Sequence, residues 1–145
     1  MNLIHEHKNG FQNPTSVVII STSQHFKDRV MSAVNEFHEK TGQQEKISFY
    51  SNFSILSKSL IASKSLIISD ETALEMKEDL FFLKALKDKN PASTLVHIYD
   101  KYSPAFYENV VIRSVSKFVK QNVSLEQNLT KSLNALFLKK RIHEN

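Results

Sequence analysis

The chain has 145 residues, of which 41% are hydrophobic and 23% are charged, and its formal net charge is +4 at pH 7. These values are ordinary for one globular domain, and no apolar run approaches the roughly 18 residues that a membrane span needs, which argues against a disordered or membrane protein. The sequence contains no cysteine, which excludes disulfides and thiolate sites, and its N-terminus lacks the apolar core of a signal peptide, so we expect a cytoplasmic protein.

The first residues differ in pattern from the rest of the chain. We predict a flexible leader over residues 1–15, which are polar and aperiodic, and a single domain over residues 16–145. His5 and His7 in the leader are expected to be solvated, because a stable metal site needs three or four converging ligands. The β-branched run from Val17 to Ile20 then predicts a strand that is covered on both faces.

Apolar runs then alternate with apolar residues at helical spacing. Intervals of three and four residues between Phe26 and Phe37 predict a helix over about 25–39. Ser124 and Gln127 fit a capping box at the start of the last helix. The predicted strands that follow are 47–49, 65–70, 94–99 and 115–119. The predicted helices are 53–61, a helix with Leu74, Met76 and Leu86 that stops near Asn90, and a helix that opens at Ser103-Pro104 and carries Phe106, Val110 and Val111. The last helix runs from Leu125 to about residue 141.

Five strand–helix units in a row predict the fold class. Right-handed crossovers leave few alternatives at this size. We therefore predict an α/β fold with a five-stranded parallel, doubly wound, flavodoxin-like sheet of order 2-1-3-4-5 and helices on both faces. Ligands of such sheets bind at the carboxyl ends of the strands. Asp70, which closes the third strand in SLIISDETA, lies at that edge and is the first candidate for a functional residue.

The five units, the aspartate in LIISDETA and the closing segment FVKQNVSLEQNL resemble the receiver domain of bacterial two-component response regulators over about residues 16–138. In that family the aspartate after strand three accepts a phosphoryl group and an acidic pair after strand one helps to hold Mg²⁺. A serine or threonine ends strand four, and a lysine ends strand five. The resemblance implies that Asp70 is a candidate phosphoacceptor, and that the other positions fall on Ser21, Thr22, Tyr99 and Gln121, with Lys120 one residue out of register.

Only Asp70 keeps the residue type that the family uses. Because Ser21 and Thr22 supply no anionic charge, we expect weak or absent Mg²⁺ binding and no other cofactor. We therefore predict an atypical receiver: a non-enzymatic signalling module that acts through a protein partner or a second copy of itself, independently of phosphorylation. A purely structural interpretation of Asp70 also stays open, because an aspartate after a strand can cap the turn that follows.

Three functional alternatives remain. In the first, a histidine kinase phosphorylates Asp70, and Asp100 or Glu71 replaces the missing acidic pair. In the second, the chain is the receiver half of a transcription regulator. The third is a small-ligand sensor whose pocket lies over Ser21, Thr22, Asp70 and Tyr99, where neutral hydroxyls suit hydrogen bonding better than metal binding.

A set of aromatic residues forms a candidate protein interface: Tyr102, Phe106 and Tyr107. The alternative for Phe106 is packing in the core. His97 lies in an apolar strand and is expected to be a hydrogen-bonded core residue, whereas His25 is expected to be solvated. The glycines at positions 10 and 42 are the only two in the sequence, which excludes a glycine-rich phosphate loop. The basic cluster at residues 139–141 is expected to complement a helix end, so we do not expect direct nucleic-acid binding.

Overall fold

A parallel sheet forms the centre of the computed structural model, which describes residues 15–42, 45–56 and 64–138. The strands are β1 (Thr15–Ile20), β2 (Lys46–Tyr50), β3 (Lys64–Asp70), β4 (Thr94–Tyr99) and β5 (Lys117–Lys120). They pair in the order β2-β1-β3-β4-β5, and every pair is parallel. This order confirms the fold class predicted from the alternating apolar patterns.

Helices connect the strands and cover both faces of the sheet. They are α1 (Gln24–Thr41), α2 (Phe53–Leu56), α3 (Lys77–Lys89), α4 (Asn109–Ser114) and α5 (Leu125–Leu133), and α5 continues into a π-helical turn over Asn134–Leu138. Two short 3₁₀ turns cover Glu71–Leu74 and Pro104–Phe106. Within the described ranges, none of these helices is both long and apolar enough to cross a bilayer.

The core has two parts, one on each side of the sheet. Val17 and Ile19 of β1 face α1 and α5, whereas Val18 and Ile20 face the side covered by α2, α3 and α4. All four side chains are buried. Burial of an aliphatic side chain of this size stabilises a fold by about 1.5–3 kcal/mol. Coverage on both faces therefore explains why the strand sequence is continuously apolar rather than alternating.

Local signals define the first helix at both ends. Ser23 precedes α1, and its Oγ accepts a hydrogen bond from the amide of Phe26 at 3.2 Å. Gly42 ends the helix in the left-handed region with φ of 73°, where a Cβ would be strained. The structure thus confirms the helix predicted over 25–39, which begins one residue earlier and ends two residues later than predicted.

The start of the third helix was predicted too early. Leu74 lies in the 3₁₀ turn after β3, and Met76 precedes α3, which begins at Lys77. The reason is the buried carboxylate of Asp79, whose Oδ2 accepts from the Met76 amide at 3.0 Å and whose Oδ1 accepts from the Ser54 hydroxyl at 3.0 Å. This cap fixes where the helix begins, so the apolar spacing of Leu74 and Met76 does not reflect helical structure.

The helix predicted from Ser103-Pro104 through Val111 is wrong as a single helix. After the 3₁₀ turn at Pro104, Tyr107 adopts an extended conformation with φ of −79° and ψ of 152°, and α4 starts two residues later. The extended residue directs the Tyr107 ring against the buried ring of His97, at 5.0 Å between centroids.

Two further boundaries differ from the predictions. Val115 ends α4 as its cap rather than beginning a strand, and β5 starts at Lys117. Ser124 precedes α5, but its side chain makes no cap hydrogen bond, so the predicted capping box is wrong; Oδ1 of Asn122 accepts from the Ser124 amide at 2.9 Å instead. Residues 1–14 of the predicted leader, residues 57–61 of the helix predicted over 53–61, and the basic cluster at 139–141 lie outside the described residues, whereas Thr15 of the predicted leader begins β1.

Candidate functional site

The candidate site lies where β1 and β3, the two central strands, reach their carboxyl ends. Asp70 is the last residue of β3, and Ser21 follows β1. The strands pair with Ile20 opposite Ser69, so the next residue on each strand meets its counterpart. Asp70 is only 6% exposed and Ser21 only 2%. The sheet therefore brings together the two predicted site residues that are 49 positions apart in the chain.

Hydroxyl groups and one amide surround the Asp70 carboxylate. Ser21 Oγ donates to Oδ2 at 2.8 Å, and Thr72 donates to Oδ1 through Oγ1 at 2.6 Å and through its amide at 3.1 Å. The amide of Thr22 in turn donates to Thr72 Oγ1 at 2.9 Å. Asp70 therefore caps the 3₁₀ turn that follows β3, which confirms the capping interpretation, and three donors already occupy its oxygens.

The electrostatic environment of Asp70 is set by burial rather than by ions. Burial raises the pKa of Asp70, the hydrogen bonds from Thr72 and Ser21 oppose that shift, and the negative charge of Glu71 adds to it. In the ranges that the structure describes, no lysine or arginine forms an ion pair with this carboxylate. Two hydroxyl groups and one amide, rather than a cation, therefore stabilise the buried Asp70 carboxylate.

The other residues at family positions do not reach Asp70. The Thr22 side chain is exposed, and Tyr99 and Lys120 end β4 and β5. The backbone amide of Gln121 donates to the Tyr99 carbonyl at 2.8 Å, a hydrogen bond that continues the pairing of β4 with β5. No hydrogen bond links the side chains of these residues to Asp70 among the described residues.

The residues at this edge do not fit the Mg²⁺ that the receiver resemblance implies. Mg²⁺ prefers an octahedron of oxygens with one or two carboxylates and several waters. Here one carboxylate is buried and already engaged by Ser21 and Thr72. Across the described part of the chain, no group of three or more histidine, aspartate or glutamate side chains converges on a metal position. The groups around Asp70 are neutral hydrogen-bond donors, which suit a carboxylate rather than a metal ion.

Glu71 has a different role from its neighbour Asp70. Its carboxylate accepts from the backbone amides of Lys101 at 3.2 Å and Tyr102 at 2.9 Å, both in the loop after β4. The Tyr107 hydroxyl donates to the same group at 3.5 Å. Glu71 therefore ties the loop after β4 to the turn after β3.

A buried hydrogen-bond chain continues from this loop into the sheet. Nε2 of His97 forms a hydrogen bond with the Tyr107 hydroxyl at 3.0 Å, and Nδ1 forms one with the Ser69 hydroxyl at 2.8 Å, while Tyr107 also lies within hydrogen-bond reach of Glu71. Burial lowers the pKa of His97 to about 4, consistent with a neutral ring. Burial and the charge of Glu71 raise the pKa of Tyr107. His97 is thus the hydrogen-bonded core residue that the sequence predicted, and His25 is exposed at the start of α1.

The predicted aromatic interface residues lie together at the surface. The rings of Tyr102 and Phe106 stack with centroids 4.2 Å apart and planes 16° apart, and Tyr107 meets Phe106 edge to face. Phe106 is 65% exposed, so the alternative that it packs in the core is wrong. A cavity of about 270 Å³ opens beside them, lined by Glu71, Leu74, Glu75, Tyr102, Phe106 and Tyr107. Its lining does not include the four residues predicted for a small-ligand pocket.

Sequence reasoning missed two partners of these residues. Thr72 could have been found, because an aspartate followed two positions later by threonine is typical of a side-chain-capped turn. The pairing of Ser69 with His97 had no such signal. It depends on the register of β3 against β4, which places these residues opposite each other across 28 positions of sequence.

No protein-family model matches the chain, and no curated protein matches it in sequence. Solved structures with the same fold include response regulators and signal receiver domains. The chemotaxis response regulator CheY4 of Vibrio cholerae has a TM-score of 0.60 and 11% identity over 86% of this chain and 99% of its own. A DNA-binding response regulator of the LuxR family from Staphylococcus aureus gives 0.56 and 18% over 83% and 98%. The signal receiver domain of an HD domain-containing protein from Pseudomonas fluorescens Pf-5 gives 0.56 and 12% over 92% and 93%. The chain therefore has the receiver-domain fold.

Proposed function

We propose that this chain is a non-enzymatic, receiver-like signalling module that acts through protein contacts and does not depend on phosphorylation of Asp70. The observation that carries the proposal is the state of that carboxylate. Ser21 and Thr72 donate to both of its oxygens, and the side chain is 6% exposed. An acceptor must offer an oxygen to the incoming phosphorus and hold a metal beside it, and both demands compete here with internal hydrogen bonds.

The alternative of a working phosphoacceptor draws little support from the acidic residues nearby. The Glu71 carboxylate accepts hydrogen bonds from the backbone amides of Lys101 and Tyr102. Ser21 stands where the family has an acidic side chain. Asp100 is exposed beyond the end of β4. Neutralising the extra charge of a bound phosphoryl group would require a nearby cation, and no lysine or arginine of the described residues forms an ion pair with Asp70.

Action through protein contacts is supported by the surface beside this edge. Tyr102 and Phe106 are 44% and 65% exposed and stack on each other, and aromatic side chains are enriched among the residues that dominate binding energy at protein interfaces. Glu71 and Tyr107 hold the loop that carries them in one arrangement. A preorganised aromatic pair loses less conformational entropy on binding than a mobile one.

The test of phosphorylation independence is a titration with Mg²⁺ and beryllofluoride, a phosphoryl mimic, followed by amide NMR shifts and a thermal melt. Asp70→Asn is the control, since it removes the acceptor and keeps the shape. A ligand that binds the folded state raises its stability by RT ln(1 + [L]/Kd). We expect no shift and no rise in melting temperature at millimolar ligand. A rise that disappears in the Asp70→Asn variant would contradict the proposal and establish a functional acceptor.

A further inference from the structure

The cavity beside the aromatic pair has the form of a recess for a single side chain. It lies between the turn after β3 and the loop after β4, and Leu74 and the rings of Tyr102, Phe106 and Tyr107 form its apolar walls. Its volume of about 270 Å³ is below the roughly 300–1,000 Å³ of pockets that bind drug-sized molecules. The size therefore favours one projecting group of a larger partner over an independent small ligand.

The charge of the recess is opposite to that of the chain as a whole. The chain carries a formal net charge of +4, yet the two charged residues that line the cavity are Glu71 and Glu75. Neither forms an ion pair with a lysine or arginine in the part of the chain that the structure describes. Lys101 supplies only its backbone amide to Glu71, and its side chain does not line the cavity. An incoming cation would therefore meet two carboxylates and would not have to displace a lysine or arginine of the described residues.

The aromatic walls favour the same kind of group. Tyr102 and Phe106 lie nearly parallel at 4.2 Å, and Phe106 remains 65% exposed, so much of its ring is accessible from solvent. Cations are attracted to such ring faces through the quadrupole of the ring. Among protein cations, arginine suits this combination best, because its planar guanidinium both stacks on aromatic rings and pairs with carboxylates through two parallel hydrogen bonds.

We propose that this recess receives an arginine side chain from a separate protein partner, with the guanidinium on the ring of Phe106 or Tyr102 and paired with Glu75. The inference rests on the proposed interaction function and states the chemistry that the partner must present. Glu71 positions the loop and adds negative charge, whereas Glu75 makes no hydrogen bond within the described residues and is free to pair with the guanidinium.

The experiment is an NMR titration of the full chain with two short peptides, otherwise uncharged, that differ at one central residue, arginine in one and citrulline in the other. Citrulline keeps the shape of arginine and lacks its charge. We expect the arginine peptide to shift the ring signals of Tyr102, Phe106 and Tyr107, and to bind about 10-fold more tightly than the citrulline peptide. Added salt should weaken the arginine complex and leave the citrulline complex unchanged.

Two variants of the recess and one matched variant elsewhere locate the binding. Phe106→Ala and Glu75→Gln should each weaken the arginine peptide severalfold, because one removes the ring face and the other the free carboxylate. Phe81→Ala is the control, since Phe81 is 68% exposed on α3 and does not line the recess. The dispersion of the amide spectrum of each variant shows that the fold is retained. Both recess variants change exposed side chains, so neither should unfold the protein.

Several outcomes would overturn the inference. Equal affinity for the arginine and citrulline peptides would remove the role of charge, and binding that survives both recess variants would place the site elsewhere. Tighter binding of tetramethylammonium than of the arginine peptide would assign the recess to a small quaternary ligand. Ring shifts that grow with protein concentration alone would assign it to a second copy of the chain. Failure here is separate from failure of the proposed function, because beryllofluoride reports on Asp70 and the peptides report on the aromatic rings.

Discussion

Nε2 of His97 lies 3.0 Å from the hydroxyl oxygen of Tyr107, and the planes of the two rings are 87° apart. Through this contact a fully buried imidazole in the centre of β4 is joined to the loop that carries the exposed pair of Tyr102 and Phe106. Glu71 accepts from the same tyrosine and from the loop backbone. The loop is thus held from inside the sheet and from the turn after β3.

The first prediction concerns pH. The pKa of His97 falls from 6.5 in the unfolded chain to about 4 in the fold. Between these values the unfolded state binds more protons, so the contribution of His97 is fully present above pH 6.5 and is lost as the pH falls toward 4. The loss should reach about 3 kcal/mol, at 1.36 kcal/mol per pKa unit. Urea unfolding as a function of pH measures it.

A histidine elsewhere in the chain provides the control for that prediction. In His97→Gln the slope of stability between pH 6.5 and 4 should flatten, whereas His25→Gln, at an exposed position, should keep the slope of the original chain. A pKa of His97 near 6.5 in an NMR titration of the folded protein would contradict the prediction.

Tyr107→Phe should destabilise the protein by about 1–3 kcal/mol, because it leaves the buried Nε2 of His97 without its hydrogen-bond partner. Denaturant unfolding at neutral pH measures the change. Tyr102→Phe is a matched substitution that removes an exposed hydroxyl and keeps the stacked ring, and it should change stability by less than about 0.5 kcal/mol. Equal losses in the two variants would show that the His97 contact contributes little.

Glu71→Ala should loosen the loop after β4. The amides of Lys101 and Tyr102 both donate to this carboxylate, and hydrogen bonds to a charged group are stronger than neutral ones. We expect hydrogen exchange at these two amides to accelerate about 10- to 100-fold. Glu75→Ala, at an exposed acid four residues along, should leave their exchange unchanged. Unaltered exchange in the Glu71 variant would mean that other contacts hold the loop.

Two substitutions at Asp70 separate its charge from its hydrogen bonds. Burial raises the pKa of Asp70, so the fold favours the neutral side chain relative to the unfolded chain. Asp70→Asn, which keeps an oxygen for Thr72 and an amide facing Ser21, should lie within about 1 kcal/mol of the original stability. Asp70→Ala should cost about 1–3 kcal/mol, since the Ser21 hydroxyl and the Thr72 amide lose the carboxylate that accepts from them.

Denaturant unfolding at neutral pH distinguishes the two Asp70 variants. In the original chain, the raised pKa of Asp70 also means that this group's contribution to stability falls as the pH rises through its folded value. That dependence should be absent from Asp70→Asn. A loss in Asp70→Asn as large as that in Asp70→Ala would show that the carboxylate charge itself stabilises the turn.

The amino-acid sequence by itself determined the order of the elements, the parallel sheet and the edge at which Asp70 lies. These follow from local signals: β-branched runs such as Val17 to Ile20, helical spacing such as Phe26 to Phe37, and the rule that crossovers are right-handed. The role of Asp70 as a cap was also within reach, because Thr72, the residue that it caps, is only two positions away.

Tertiary structure alone decided what each of these residues touches. Ser21 meets Asp70 across 49 positions, and Ser69 meets His97 across 28, because strand register sets both pairs and leaves no trace in local sequence. The break before α4 has the same origin, since Tyr107 leaves helical geometry to reach His97. Local patterns encode which residues are buried, whereas the satisfaction of buried polar groups depends on partners that only the folded sheet brings together.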